Sequence, residues 1–145
     1  MPNPTMSADE REAFLADTHV GVFSVSDPGR GPCTVPVWYS YAPGEPIRIT
    51  MAPQSRKAKL LRAVGRASLC VQREALPYKY VSVEGSIEIV EADLRALQRE
   101  IAERYLGPSL AARYVAKFSE LRDEVLVLLR PERWWSVDFS RVSLG

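Results

Sequence analysis

The sequence has very few of the residues from which nucleophilic, metal-binding or cross-linked sites are built. It contains one histidine and two cysteines in 145 residues. His19 begins a predicted strand, and its sequence neighbours form no triad or metal-binding pattern. Cys33 and Cys70 lie outside any Cys-x-x-Cys spacing, so we expect both thiols to stay reduced. The sequence therefore predicts no catalytic side chain and no metal site.

Long apolar runs are also missing. The longest one, Val125 to Leu129, is far shorter than the roughly 20 residues that cross a bilayer. The first residues, MPNPTM, lack the basic region and apolar stretch of a signal peptide. We therefore expect a cytoplasmic protein without a membrane span, in which residues 1–6 form a loose leader and residues 7–145 form a single domain.

Acidic residues are nearly absent from one part of the chain. The whole sequence is close to balanced, with 19 Lys and Arg against 18 Asp and Glu. Between residues 46 and 79, however, Glu74 is the single acid. The cations of this basic block are Arg48, Arg56, Lys57, Lys59, Arg62, Arg66, Arg73 and Lys79. Clustered like charge indicates an anionic partner, and a solvated face is the alternative.

Strand patterns predominate in the first half of the chain and return at its end. Stretches rich in β-branched and aromatic residues are separated by Gly and Pro turns. The predicted strands cover residues 19–26, 33–41, 47–51, 66–73, 78–91 and 124–139. Gly85 is predicted to mark a β-bulge, and Pro131 is predicted to interrupt the last strand.

Helical patterns fill the remaining segments. A capping box begins at Ser7, and its helix runs to about Asp17. Another helix begins at Ser55 and is closed by Gly65. From Ala92 the apolar residues recur at helical spacing, with a stop at Gly107-Pro108 and a further helix beyond it. The stripe of that last helix comprises Leu110, Tyr114, Phe118 and Leu121. This order predicts a mainly β protein, a small β-barrel with peripheral helices.

The helix that begins at Ser55 has its cations at the unexpected end. Arg56, Lys57 and Lys59 lie near its start, where the helix macrodipole favours carboxylates. With Ser55 as the N-cap, its hydroxyl and the free N–H groups of the first turn converge on one point that suits a phosphate. The sequence therefore predicts a phosphate site here, and a solvated turn is the alternative.

The order of several segments resembles the pyridoxamine 5′-phosphate oxidase-like split-barrel superfamily. The segments are TVPVWYSY, IRITM, SRKAKLL, VSVEGSIEIVE, ERYLGP and RPERWWSVDF. Within the superfamily the chain is most similar to small actinobacterial deazaflavin-dependent oxidoreductases, which use coenzyme F-420 in place of FMN. The resemblance implies a homodimeric split barrel that transfers a hydride between the deazaflavin and a small planar organic substrate.

The resemblance also implies roles for particular positions along the cofactor. Ser55 and Lys57, with Arg56 between them, match the pattern that holds the cofactor phosphate. Thr50 and Met51 match positions that run along the ring system and the chain leading to the phosphate.

Further positions are implied for the ring and for the tail of the cofactor. Pro36 and Trp38 lie on the neighbouring strand, where the family places groups against the ring, and core packing is the alternative for Trp38. Lys59, Arg62 and Arg66 are expected to follow the polyglutamate tail of coenzyme F-420, with ordinary solvation as the alternative.

A second subunit is expected to complete the cleft. Tyr78, Tyr80 and Trp135 are the candidates for contacts across the dimer, and plain interface or core packing is the alternative. Trp134 and Trp135 are adjacent on a predicted strand and must point to opposite faces. At least one of them is therefore expected to leave its own core.

The end of the chain departs from true pyridoxamine phosphate oxidases, because RWWSVDFSRVSLG lacks their Arg-x-His substrate motif. This departure argues against vitamin oxidation and favours a planar, more apolar substrate. Two alternatives keep the same barrel, namely an FMN-dependent oxidoreductase and a non-catalytic flavin or haem carrier. A nucleic-acid binder that uses the basic block with Trp38, Tyr39 and Tyr41 is a third, although we expect neither nucleic acid nor membrane as partner.

Overall fold

Strands and helices account for most of the computed structural model, which describes residues 3–118 and 123–144. The strands are β1 (Gly21–Val25), β2 (Cys33–Val37), β3 (Ile47–Met51), β4 (Arg66–Arg73), β5 (Lys79–Val90) and β6 (Val125–Asp138). The helices are α1 (Ala8–Ala16), α2 (Arg56–Val64), α3 (Arg95–Leu106) and α4 (Pro108–Phe118), with a 3-10 turn over Phe139–Arg141. The strands form one antiparallel sheet in the order β2-β1-β4-β5-β6-β3.

One bridge joins the two edge strands of this sheet. Ser40, which follows β2, pairs with Arg48 of β3 through two backbone hydrogen bonds of 2.9 Å. The bridge closes the curled sheet into a barrel. Beyond it the edges of β2 and β3 separate, since no further pair joins them in the described chain. The barrel is therefore split between these two edges.

Apolar side chains at alternate positions of the strands fill the interior of the barrel. β3 and β4 bury alternate residues, as expected when one face of a sheet covers a core. The largest fully buried side chains are Tyr39, Phe23, Leu15, Ile47, Ile49, Met51, Leu61, Leu69, Leu129, Val25, Val71 and Val81. Leu15 comes from α1 and Leu61 from α2, so both helices cover the barrel.

A bulge bends β6 opposite Gly85. Gly85 pairs with Pro131, and the register then shifts so that Glu132 is an extra residue in β6. The carboxylate of Glu132 accepts the backbone N–H of Ser86 at 3.1 Å. The predicted irregularity at Gly85 is confirmed, but the extra residue lies in the partner strand. The predicted interruption at Pro131 is wrong, because β6 runs through this residue. Proline has no N–H to donate, and it is tolerated here because the bulge already breaks the regular pairing.

Most predicted elements are confirmed to within a few residues. β3 and β4 have the predicted bounds, and α2 is closed by Gly65, whose φ of 75° is the left-handed conformation. β2 is shorter than predicted, because the chain after Val37 turns across to β3. α3 begins at Arg95 rather than near Ala92. Leu121 of the predicted last helix lies outside the described residues.

Residues 3–6 of the expected leader lie against the end of β6. The carbonyl of Pro4 accepts the N–H of Asp138 at 2.8 Å, and the N–H of Met6 donates to Ser136 Oγ at 3.1 Å. The Met6 side chain is buried in the core. These contacts hold residues 3–6 against the barrel, which differs from the expected loose segment.

Candidate cofactor site

A cavity of about 620 Å³ opens where the two barrel edges separate. Continuing the register of the single bridge places Trp38 opposite Thr50 and Pro36 opposite Ala52. All four residues line the cavity, and Met51 lies beside them. The structure therefore brings together the predicted positions on β3 and at the end of β2.

The backbone at this edge has polar groups that face the cavity. Arg48 uses its N–H and C=O for the bridge, so strand alternation directs those of Thr50, two residues on, to the same side. Pro36, on the opposite edge, has no N–H that would need a partner. Thr50 thus offers one donor and one acceptor to a molecule in the split.

Lys57 brings the start of α2 to the same cavity, although Ser55 and Arg56 do not line it. Ser55 is its N-cap, as predicted, and the Ser55 hydroxyl accepts the N–H of Ala58 at 3.2 Å while donating to the carbonyl of Ala52 at 2.8 Å. The N–H groups of Arg56 and Lys57 precede the first intrahelical hydrogen bond. Two donors at the positive end of the helix dipole therefore remain available.

Lys57 lies on the inner face of α2. It precedes Leu61 by one turn and Val64 by two, and both of these side chains pack on the core. The Lys57 side chain is half-buried and lines the cavity. Within the described residues its ammonium has no hydrogen bond and no ion pair. An unpaired cation beside a helix N-terminus is unfavourable until an anion binds.

Two other cations of the basic block have partners within the chain. Arg56 pairs with Asp27 in the turn between β1 and β2, at 2.5 Å. Arg62 donates to the carbonyl of Pro53 at 2.6 Å. Neither guanidinium lines the cavity.

Lys59 and Arg62 lie on the outer side of α2. At 100° per residue they are roughly 140–200° around the helix from Lys57, and both are exposed. Arg66, which was expected to follow the same tail, begins β4 as predicted and pairs with Glu132 at 3.0 Å. The three cations predicted to follow a tail therefore do not form one continuous helix face.

One wall of the cavity comes from the helices. Gln98, Ile101 and Ala102 of α3 and Tyr114 of α4 line it. The Gln98 amide donates to the Glu124 carboxylate at 2.9 Å, and Asp123 also lines the cavity, so this wall carries acidic as well as apolar groups.

The sequence interpretation missed this wall, because an apolar helix stripe looks the same whether it covers a core or a cavity. The available signal was Gln98. It lies four residues after the buried Leu94 and three before the buried Ile101, so it interrupts the apolar stripe with an amide.

Trp38 provides an aromatic side of the cavity. Its ring stacks on Tyr105 of α3, with 5.0 Å between centroids and 6° between planes. The Tyr114 ring lies 5.8 Å away. Trp38 therefore packs against the helices and also lines the cavity.

Tyr80 and Trp135 lie away from the cavity of their own chain. They are on β5 and β6, and Trp135 and Tyr78 are about half exposed, at 51% and 48%. Trp134 instead packs against the core, with the Arg11 guanidinium 4.7 Å from its ring. The expectation that the adjacent tryptophans face opposite sides is confirmed.

The family model for pyridoxamine 5′-phosphate oxidase matches residues 7–138. The chain belongs to the pyridoxamine 5′-phosphate oxidase family. This membership confirms the split-barrel fold that the segment order predicted. No curated protein matches the sequence.

Solved structures with the fold of this pyridoxamine 5′-phosphate oxidase family member include a conserved hypothetical protein of Mycobacterium tuberculosis. It is 26% identical, with a TM-score of 0.75 over 97% of this chain and 92% of that one. An F-420 reductase is 24% identical, with a TM-score of 0.68 over 85% and 94% of the two chains. A FAD-binding protein of Mesorhizobium loti is 23% identical, with a TM-score of 0.67 over 91% and 93%.

The cavity of this pyridoxamine 5′-phosphate oxidase family member fits a planar cofactor that carries a phosphate. Its volume lies within the usual range for small-molecule sites, about 300–1,000 Å³. The unpaired Lys57 ammonium and the open helix N-terminus suit the phosphate, while the half-buried Trp38 offers aromatic contact area. No helix of the described ranges is long and apolar enough to cross a bilayer.

Proposed function

We propose that the chain is an oxidoreductase that binds the deazaflavin coenzyme F-420 in this cavity and acts on a small planar organic substrate. The observation that carries the proposal is the half-buried Lys57, which has no partner in the described residues and lies at a helix N-terminus beside the split. A cation in that position is explained by a bound phosphate. When bound, the deazaflavin supplies a hydride carrier.

The residues of the chain would bind the cofactor and orient it. Lys57 and the first N–H groups of α2 hold the phosphate, and the Ser55 hydroxyl joins them by releasing the carbonyl of Ala52. The backbone N–H and C=O of Thr50 would hydrogen-bond polar atoms of the ring, and Trp38 would pack on its apolar surface, with Met51 of the same strand beside them in the lining. The helical wall would cover one side of the bound ring and limit the access of water from that side. No nucleophile of the protein is needed for hydride transfer.

F-420 is preferred to FMN as the cofactor because more cations surround the start of α2 than one phosphate needs. Lys59 is exposed near this end of the helix, and Arg62 of the last turn reaches back to the carbonyl of Pro53, which precedes the helix. The polyglutamate tail of F-420 carries carboxylates. The tail would pass around the start of α2 to reach these cations. The structural likeness to an F-420 reductase is in keeping with this choice, and FMN is the second candidate.

A homodimer completes the proposed site. The cavity of one chain is open toward solvent and does not include Tyr80 or Trp135. We propose that a second copy brings these aromatic residues to the rim. The exposed Trp135 is available for such a contact.

Titration of the purified protein with FMN and with F-420 of increasing tail length tests the cofactor. We expect F-420 to bind more tightly than FMN, with an affinity that rises with tail length and falls with added salt. Replacing both Lys59 and Arg62 by Ala should abolish the dependence on tail length and leave FMN binding unchanged. Tighter binding of FMN, or an affinity independent of tail length, would show that the cofactor is not F-420.

A further inference from the structure

Tyr105 holds the barrel at three points through one side chain. Its ring stacks on Trp38. Its hydroxyl donates to the carbonyl of His19 at 2.6 Å and accepts the N–H of Tyr39 at 3.1 Å. The same residue thus fixes the backbone beside Trp38 and restricts the rotation of the Trp38 ring.

The backbone beside Trp38 is also anchored from within the core. Tyr39 is fully buried, and its hydroxyl donates to the carbonyl of Leu15 at 2.6 Å. Burial raises the pKa of Tyr39 well above its usual value, so this hydroxyl keeps its proton at neutral pH. With the main chain anchored, the freedom left to Trp38 is side-chain rotation, which the Tyr105 ring opposes.

We propose that Tyr105 is a positioning residue of the cofactor site, holding the Trp38 indole as the aromatic wall of the cavity. This inference rests on the proposed function, in which Trp38 packs on the bound ring. Tyr105 does not line the cavity itself, so it acts through Trp38.

Fluorescence quenching measures the freedom of Trp38 without any cofactor. With Trp134 and Trp135 replaced by Phe, Trp38 is the sole tryptophan, and Tyr105→Leu should raise its quenching by acrylamide about twofold. Tyr105→Phe keeps the ring and should change it little. Phe14→Leu removes a half-buried ring that packs on His19 and not on Trp38, and it serves as the control. Unchanged quenching in Tyr105→Leu would overturn the proposal.

Cofactor affinity shows whether the effect runs through Trp38. Tyr105→Leu and Trp38→Leu should each weaken binding about three- to tenfold, and the double variant should bind like Trp38→Leu alone. The effects of Tyr105→Leu and Lys57→Ala should multiply, because these residues contact different parts of the ligand. Multiplying effects for Tyr105 and Trp38 would instead show that Tyr105 acts independently, contrary to the proposal.

The two readouts separate this inference from the function on which it rests. If the unaltered protein binds neither F-420 nor FMN, the proposed function fails, and a rise in quenching would still show that Tyr105 orients Trp38. If Tyr105→Leu does not fold, Tyr105→Met replaces it in both measurements, since Met fills irregular apolar space.

Discussion

Lys57 occupies a position where the pattern of α2 calls for an apolar side chain. Leu61 and Val64 follow it at helical spacing and pack on the core. An ammonium on this stripe is partly desolvated without an intramolecular partner, so it contributes little to the stability of the free protein. We expect the Lys57 ammonium to make a favourable interaction only when an anion binds beside it.

Replacing Lys57 by Ala should therefore weaken cofactor binding without unfolding the protein. A charge-assisted hydrogen bond is worth about 1.5–3 kcal/mol, or roughly ten- to hundredfold in affinity. Fluorescence titration measures the affinity, and thermal unfolding checks the fold. Lys59→Ala on the outer side of the same helix is the matched control for FMN, whose binding it should leave unchanged. If the two substitutions change the affinity for FMN equally, Lys57 does not bind the cofactor phosphate.

Glu10 gives a residue-scale prediction for pH. A hydrogen bond from Arg141 and the backbone N–H of Ser7 lower the pKa of its carboxyl from 4.5 to about 2. Because the folded pKa is the lower one, the ionised carboxylate stabilises the fold above about pH 4.5, and this contribution is lost as the pH falls toward 2. Glu10→Gln should flatten the loss of thermal stability over this range. Asp9→Asn, on the same helix turn, should retain the steeper loss.

The β5–β6 pair depends on the absence of a side chain at Gly85. A Cβ built there would lie 1.6 Å from the carbonyl oxygen of Arg130, which is backbone and cannot turn aside. Gly85→Ala should destabilise the protein by at least about 1–3 kcal/mol in urea unfolding, as overpacking does. Gly31→Ala is the control, since its Cβ would meet nothing within 4 Å. Similar stability of the two variants would contradict this close approach.

The elements that sequence predicted best are those whose signals are local. The Ser55 cap and Gly65 mark the two ends of α2, and the alternation of apolar and polar residues marks the ends of β3 and β4. The bulge shows the limit. Gly85 marked its place, but Glu132 is the extra residue, and that choice depends on a pairing between strands far apart in the chain.

The candidate site was predictable to the same extent. Pro36, Trp38, Thr50, Met51 and Lys57 all line the cavity, because short segments hold them at the ends of predicted elements. The helical wall could not be predicted from its stripe. How α3 packs over the split depends on distant contacts such as those of Tyr105.

At the scale of the whole molecule, apolar side chains remain exposed at one end of the β5–β6 pair. Trp135, Tyr78 and Phe139 are each about half exposed, and Leu76 of the preceding turn is largely exposed. Aromatic residues of this kind are enriched at protein interfaces. They are available to the proposed second subunit.

Light scattering should therefore show a two-fold dimer at micromolar concentration. Trp135→Glu should shift the protein to monomer and leave the circular dichroism of the sheet intact. Leu110→Glu changes a comparably exposed apolar residue on α4 and should leave the dimer unaffected. A stable monomer of the unaltered protein would overturn the prediction and the shared site with it.

The single bridge between Ser40 and Arg48 also sets how fast individual amide protons exchange with solvent. Along β3, the N–H groups of Ile49 and Met51 point to β6 and are protected, whereas that of Thr50 points into the split. In the free protein, one fast amide should therefore lie between two slow ones. Among the amides of β3, a molecule that accepts a hydrogen bond from Thr50 would slow the exchange of that proton only, so one NMR resonance of this strand would report a colourless ligand.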